Sequence, residues 1–378
     1  MRKPMSTAIQ QLKPSGIRRI NALAAARPGC IALALGEPEF GTPRSVSMEA
    51  TRSLDEGLTH YPPNNGTASL RAAIARTLAA DGIERTADEV IVTVGATEAL
   101  SATLATLLDP GDEVVIPTPA FGLYESLVTM LRGVPVFLDT APAGFQIGEE
   151  ALAAAVTPRT KAIVITSPNN PTGCVLAPAS LDAVAAVASR TGIYVICDDV
   201  YNRLVYAPGY ERFAARHPEL AEQTVVVDSF SKPWAMTGWR AGWLAAAAPV
   251  AAQVAKAHQY LVSSIPAFVM PAAERALACD PAPMLETYRA RRERVLAALA
   301  YMGLPCVEPA GAFYAFPRIA GTGLTSEEFC VGAIEDAGVA LVPGDCFGAE
   351  GYARLSYCVA DADLDEGLRR LTAFVRGL

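Results

Sequence analysis

One pattern recurs through residues 90–246 and leaves few folds open to this chain. Seven short apolar runs, many of them β-branched, at 90–94, 113–116, 135–138, 162–166, 194–197, 224–227 and 243–246, read as buried strands. Helical stretches at 97–108, 121–132, 149–155 and 179–191 separate most of them. Continuous apolar strands with interleaved helices predict a largely parallel seven-stranded sheet covered on both faces. Such sheets take ligands outside the carboxyl ends of their strands. Functional residues are therefore expected just after the runs, and five of the seven carry them.

They are found there. The first run ends in Gly95-Ala96-Thr97-Glu98, which opens a helix and offers backbone N–H groups and a hydroxyl to an anion. The second leads to Phe121, placed to lie flat against a ring. The fourth leads to Ser167-Pro168-Asn169-Asn170-Pro171-Thr172-Gly173, the fifth to Asp198-Asp199-Val200-Tyr201, and the sixth to Ser229-Phe230-Ser231-Lys232, continuing to Gly238-Trp239-Arg240. Hydroxyls at Ser229 and Ser231 together with the Arg240 guanidinium suit a phosphate dianion, which needs several donors and a delocalised fork. An amine beside such a site, Lys232, suggests an aldehyde cofactor held as a Schiff base. No G-x-G-x-x-G, Walker loop, G-x-S-x-G or H-E-x-x-H occurs in the chain.

The rest of the chain frames this core. A capped amphipathic helix is expected at 13–27, then a fixed loop through Gly36-Glu37-Pro38, and a second loop, Tyr61 to Gly66, before a helix at 68–81. Beyond residue 275 a long charged helix (284–302) is expected, then a helix near 325–337, strands at 339–342 and 352–357, and a terminal helix at 361–376. With 378 residues, one large and one smaller α/β domain are expected. The net charge of −8 argues against nucleic acid or an anionic membrane as partner. Eight scattered Cys without a C-x-x-C pair, and only three His, suggest neither a zinc site nor a disulfide framework. A polar N-terminus and the lack of a membrane-length apolar run make the cytoplasm the expected compartment.

Taken together the motifs resemble the class I/II aminotransferases, the fold-type-I enzymes dependent on pyridoxal 5'-phosphate. The most specific segments are 167–173, Asp198 with Tyr201, and Ser231-Lys232 followed by Gly238-Trp239-Arg240; the likeness runs from Pro14 to Tyr357. The resemblance implies an N-terminal segment (1–43) that packs with the small domain, a large cofactor-binding domain (44–275) and a small C-terminal domain (276–378). It implies transfer of the α-amino group of an L-amino acid to a 2-oxo acid, ping-pong, through pyridoxamine phosphate. Lys232 would carry the cofactor and move the proton, and Asp198 would keep the pyridine nitrogen protonated. Asn170 and Tyr201 would bond the ring's phenolic oxygen, and Phe121 would stack on the ring. Ala96, Thr97, Ser229, Ser231 and Arg240 would hold the phosphate, joined by Tyr61 from the other subunit of a homodimer. Gly36 would make room for substrate, and Asn170 and Arg354 would bind it, Arg354 through the α-carboxylate. No metal is implied.

Outside the resemblance, Asp198 alone reads as a helix cap, Asn170 as a turn residue, Phe121 as core, Tyr61 as a loop anchor and Arg354 as a solvent-facing edge residue. The stretch between Lys256 and Pro266 holds no arginine for a second substrate carboxylate, and Tyr124, Phe313 and Tyr314 suggest an aromatic or medium apolar substrate side chain. Another reaction on the same scaffold, such as β-elimination from a cysteine conjugate, and a non-catalytic ligand-sensing relative are the alternatives.

Overall fold

A computed structural model of the chain describes residues 2–378. The first helix of the core, Gly16–Ala26, starts where Ser15 accepts the Arg18 N–H on its hydroxyl. It leads to a two-residue strand, β1 (Ile31–Ala32). The large sheet then forms from β2 (Val90–Thr93), β3 (Glu113–Thr118), β4 (Val134–Asp139), β5 (Thr160–Thr166), β6 (Tyr194–Asp198), β7 (Thr224–Ser229) and β8 (Gly242–Ala245). Its order is β2-β8-β7-β6-β5-β3-β4, and only β8 runs antiparallel to its neighbours. This is the seven-stranded, mostly parallel sheet expected from the runs.

Helices cover both faces. On one, Leu100, Leu104, Leu127 and Val254 pack on Ile91, Val114, Val164 and Val227. On the other, Leu70, Ile74 and Met270 pack on Val90, Val92 and Val226, and Leu181 and Val184 on Ile163, Ile165 and Val195. Fully burying one such aliphatic side chain is worth about 1.5–3 kcal/mol, so the sheet ends sit on a rigid base. Three of the longer helices were not expected from the sequence, Arg44–Asp55, Ala248–Leu261 and Val269–Leu277. Two contain prolines, Pro249 and Pro271, that look like breakers but fall in the first turn, where the missing N–H costs nothing.

The C-terminal part adds β9 (Tyr314–Ala315), β10 (Val339–Ala340), β11 (Val342–Pro343) and β12 (Ala353–Ser356). The single strand expected at 339–342 is thus split. Val339–Ala340 pairs in parallel with β1, whereas Val342–Pro343 pairs antiparallel with β12. All four residues 339–342 are buried, so the run carries no period-2 signal to say where the chain changes partner. The helix expected near 325–337 is α-helical only over Ser326–Gly332 and continues as a π-helical turn, Ala333–Ala337. All eight cysteines are free thiols, four of them buried. Among the described residues no helix is long and apolar enough to cross a membrane.

Candidate active site

A cavity of about 310 Å³ opens at the carboxyl ends of the large sheet, between it and the C-terminal strands. Gly36, Ala96, Thr97, Phe121, Asn170, Asp198, Tyr201, Ser229, Ser231, Lys232, Arg240 and Arg354, each singled out from sequence, all line it. Tyr61 does not. It stands 94% exposed on its loop.

Each side chain is placed by the element it terminates. Lys232, in the turn after β7, donates from Nζ to the Gly36 carbonyl at 2.6 Å. Burial pushes its pKa down to about 8, so its free amine is accessible near neutrality. Asp198 ends β6 almost wholly buried. Its Oδ2 accepts from the Tyr124 hydroxyl at 2.6 Å, while Oδ1 has no partner. Burial raises the Asp198 pKa to about 6, against the Tyr124 hydrogen bond that favours the charged form. The Tyr124 hydroxyl also meets Thr166 Oγ1 at 2.7 Å, which fixes its direction.

Arg354 lies on β12, the middle strand of the small sheet, and is 2% exposed. The solvent-facing edge alternative is overturned, because strands flank it on both sides. Its guanidinium donates to Asn170 Oδ1 at 2.8 Å and to the Ala34 carbonyl at 2.7 Å, and stacks 4.5 Å from the Tyr314 ring centroid. Nε has no partner, and neither recorded acceptor is a carboxylate. A buried cation held only by neutral oxygens is a standing invitation to an anion. Tyr201 bonds the Tyr314 hydroxyl at 2.9 Å.

Opposite, the helix Gly95–Leu107 starts at the cavity wall with Ala96 and Thr97, in the first turn, where backbone N–H groups have no partner within the helix. Ser229 and Ser231 hydroxyls lie 2.8 Å apart beside it. Arg240, at φ 51°, bends back over this edge, so a Cβ on Gly95 would stand 2.6 Å from its Nη2. Glycine is favoured there because Gly95 sits at φ 71°, a left-handed conformation that strains any L side chain.

Tyr124 lines the cavity with its hydroxyl committed to Asp198 and Thr166, whereas Phe313 does not line it and is fully buried behind Lys232, its ring centroid 5.9 Å from Nζ. Tyr314 stays in the cavity wall, though committed to Tyr201 and Arg354. A Cβ on Gly36 would stand 2.3 Å from the Tyr314 hydroxyl, so its own neighbour already demands glycine there. The supporting role of Tyr124 was missed because helical spacing places a side chain without saying which way its hydroxyl turns.

The chain as a whole is similar to known proteins. The family model for aminotransferase class I and II matches residues 28–371. The chain belongs to the class I and II aminotransferases. It is 41% identical to a putative aminotransferase of Bacillus subtilis, over 98% of both chains. It is 40% identical to an aspartate aminotransferase of Pyrococcus abyssi, also over 98% of both. An aromatic-amino-acid aminotransferase of Thermococcus litoralis is 38% identical over 97% of both. A solved aspartate aminotransferase of Thermus thermophilus, with maleate, superposes with a TM-score of 0.93 at 35% identity, covering 99% of this chain and all of that one. The protein is a pyridoxal-phosphate-dependent aminotransferase of fold type I that moves an amino group between an amino acid and a 2-oxo acid. The residues present fit that cofactor. An unpartnered buried carboxylate oxygen at Asp198 suits a protonated ring nitrogen, and the helix start with Ser229, Ser231 and Arg240 suits a phosphate.

Proposed function

We propose that this aminotransferase works with Lys232, Asp198 and Arg354 as its three charged poles. The observation that carries this is one cavity holding a buried acid with a free oxygen, a buried guanidinium without an acid partner, and an amine whose pKa is pushed down to about 8. Pyridoxal phosphate, when bound, supplies an aldehyde for the amine and a ring that accepts the electron pair left at Cα. Lys232 Nζ would hold the cofactor through its aldehyde and, as a free amine, would take the proton from the substrate Cα. Asp198 Oδ1 holds a proton on the ring nitrogen, with Tyr124 keeping the acid ionised. Asn170 and Tyr201 bond the phenolic oxygen, and Phe121 packs on the ring. Ala96, Thr97, Ser229, Ser231 and Arg240 bind the phosphate, and Arg354 orients the substrate carboxylate.

The cations lining the cavity, Lys232, Arg240 and Arg354, are all occupied by these roles, and Ile17 and Leu123 offer an apolar wall. Amino donors with apolar or aromatic side chains therefore fit this reading better than dicarboxylates. The working unit is a homodimer in the cytoplasm, divided at 43 and 275, with the exposed Tyr61 reaching the phosphate of the other subunit's site. Borohydride treatment of the loaded enzyme followed by peptide mapping tests the centre of the proposal. The adduct should sit on Lys232, and Asp198→Ala should keep some cofactor while losing nearly all turnover. An adduct on Lys161 or Lys256 overturns the assignment. Half-reactions with single amino acids decide the donor class, and pyruvate with ammonia as products would indicate β-elimination instead.

A further inference from the structure

The last residue of β7 but one, Asp228, is an acid the reaction does not use. It is 8% exposed and does not line the cavity. Its Oδ1 accepts the Ser229 backbone N–H at 2.7 Å, and its Oδ2 accepts the Asn202 side-chain amide at 2.6 Å. Neither of these two partners is a cation. The nearby Arg212 is committed to Asp199 and Asp81. A carboxyl buried this way is costly, and burial raises its pKa to about 7. An apolar residue would pack here at less expense, so the carboxyl is explained by what it holds.

What it holds is the start of the turn that bears Ser229, Ser231 and Lys232. Along a strand, successive side chains point to opposite faces. Asp228 therefore grips the Ser229 backbone from behind the sheet while the Ser229 hydroxyl faces the cavity, 2.8 Å from Ser231 Oγ and 3.2 Å from the Ala241 carbonyl. Asn202, in the turn after β6, ties that grip to the strand carrying Asp198: its N–H donates to the Asp199 carbonyl at 2.8 Å. We propose that Asp228, braced by Asn202, is a positioning residue for the cofactor phosphate, fixing the Ser229–Ser231 turn so that both hydroxyls converge on the anion.

The inference rests on the reading that Ser229 and Ser231 hold the phosphate, and the test separates the two. Affinities of the cofactor-free protein for pyridoxal phosphate and for pyridoxal, which lacks the phosphate, are measured by visible absorbance. Asp228→Ala is expected to weaken pyridoxal phosphate about 10-fold or more, the scale of a hydrogen bond to a charged group, and to change pyridoxal by less than about 2-fold. Asp228→Asn keeps the acceptor for Ser229, and Asn202 can turn its unpartnered Oδ1 toward the new amide, so affinity should return to within about 3-fold of the parent. Asn202→Ala, which leaves the acid in place, should give a smaller loss that again needs the phosphate. Ser229→Ala checks the underlying reading: if it leaves the preference for pyridoxal phosphate intact, the phosphate assignment fails and the inference with it. If Ser229→Ala weakens the phosphate form but Asp228→Ala does not, or if Asp228→Ala weakens both ligands equally, the positioning role alone is wrong.

Discussion

At the residue scale the site is a set of charges made expensive by burial and left open for a ligand to repay. Arg354 is the clearest instance. Removing one partner of a buried guanidinium–carboxylate pair costs roughly 2–5 kcal/mol. Arg354→Ala should therefore lower kcat/KM for α-amino acids by about 30-fold to several thousand-fold, at 1.36 kcal/mol per decade. Lysine should recover part of this, since a point charge lacks the planar fork. Amines without a carboxylate should be indifferent, and cofactor content should hold; loss of cofactor would refute the role. Asp198 gives a pH signature. Its ionised form is the one that attracts a protonated ring nitrogen, and burial holds its pKa near 6 in the free protein. Cofactor affinity should thus fall as pH drops through about 6. Tyr124→Phe removes a hydrogen bond that favours the carboxylate, so the fall should move to higher pH in a titration of affinity. An unmoved titration would mean that Tyr124 does not tune Asp198.

At the element scale the site depends on three chain segments meeting at one sheet edge. Because β8 runs antiparallel, its first residue, Gly242, pairs with both Thr93 and Ser229, the last residues of β2 and β7. A Cβ there would stand 2.7 Å from the Gly95 carbonyl carbon and 2.8 Å from Ala96 N. Both are backbone atoms that cannot rotate away. Gly242→Ala should displace the helix start at Gly95, lowering stability by about 1–3 kcal/mol through overpacking and weakening cofactor retention at the same time. Thermal melts with and without cofactor would measure both, and an unchanged holoenzyme would show that the edge relaxes freely.

For the whole molecule, Tyr61 (94% exposed) and Tyr260 (87% exposed) are large aromatic side chains that no other described residue covers. In the proposed dimer Tyr61 serves the opposite site while Lys232 serves its own. Mixing subunits carrying Tyr61→Ala with subunits carrying Lys232→Ala should then regenerate one intact site per mixed dimer. Activity should rise above that of either variant alone after dissociation and reassociation, with sedimentation reporting the dimer. No gain on mixing would place Tyr61 within its own subunit's site or outside any.

The sequence by itself determined the large sheet and the roster of residues at its mouth. Strand runs such as 162–166 are continuous and apolar, and the residues after them, Asp198 or Lys232, can only emerge at the carboxyl ends. These are local signals with a fixed geometric outcome. Only the tertiary structure decided pairings between distant segments. Leu341 divides two strands because β1 and β12 compete for one apolar run. Tyr124 serves Asp198 because two helix and strand ends, 74 residues apart in sequence, happen to face each other. Arg354 is buried because strands close on both its sides, and the same arginine on an edge would be solvated. Hydrophobic period and turn chemistry are written residue by residue, whereas a hydrogen-bond partner is a property of the packed whole.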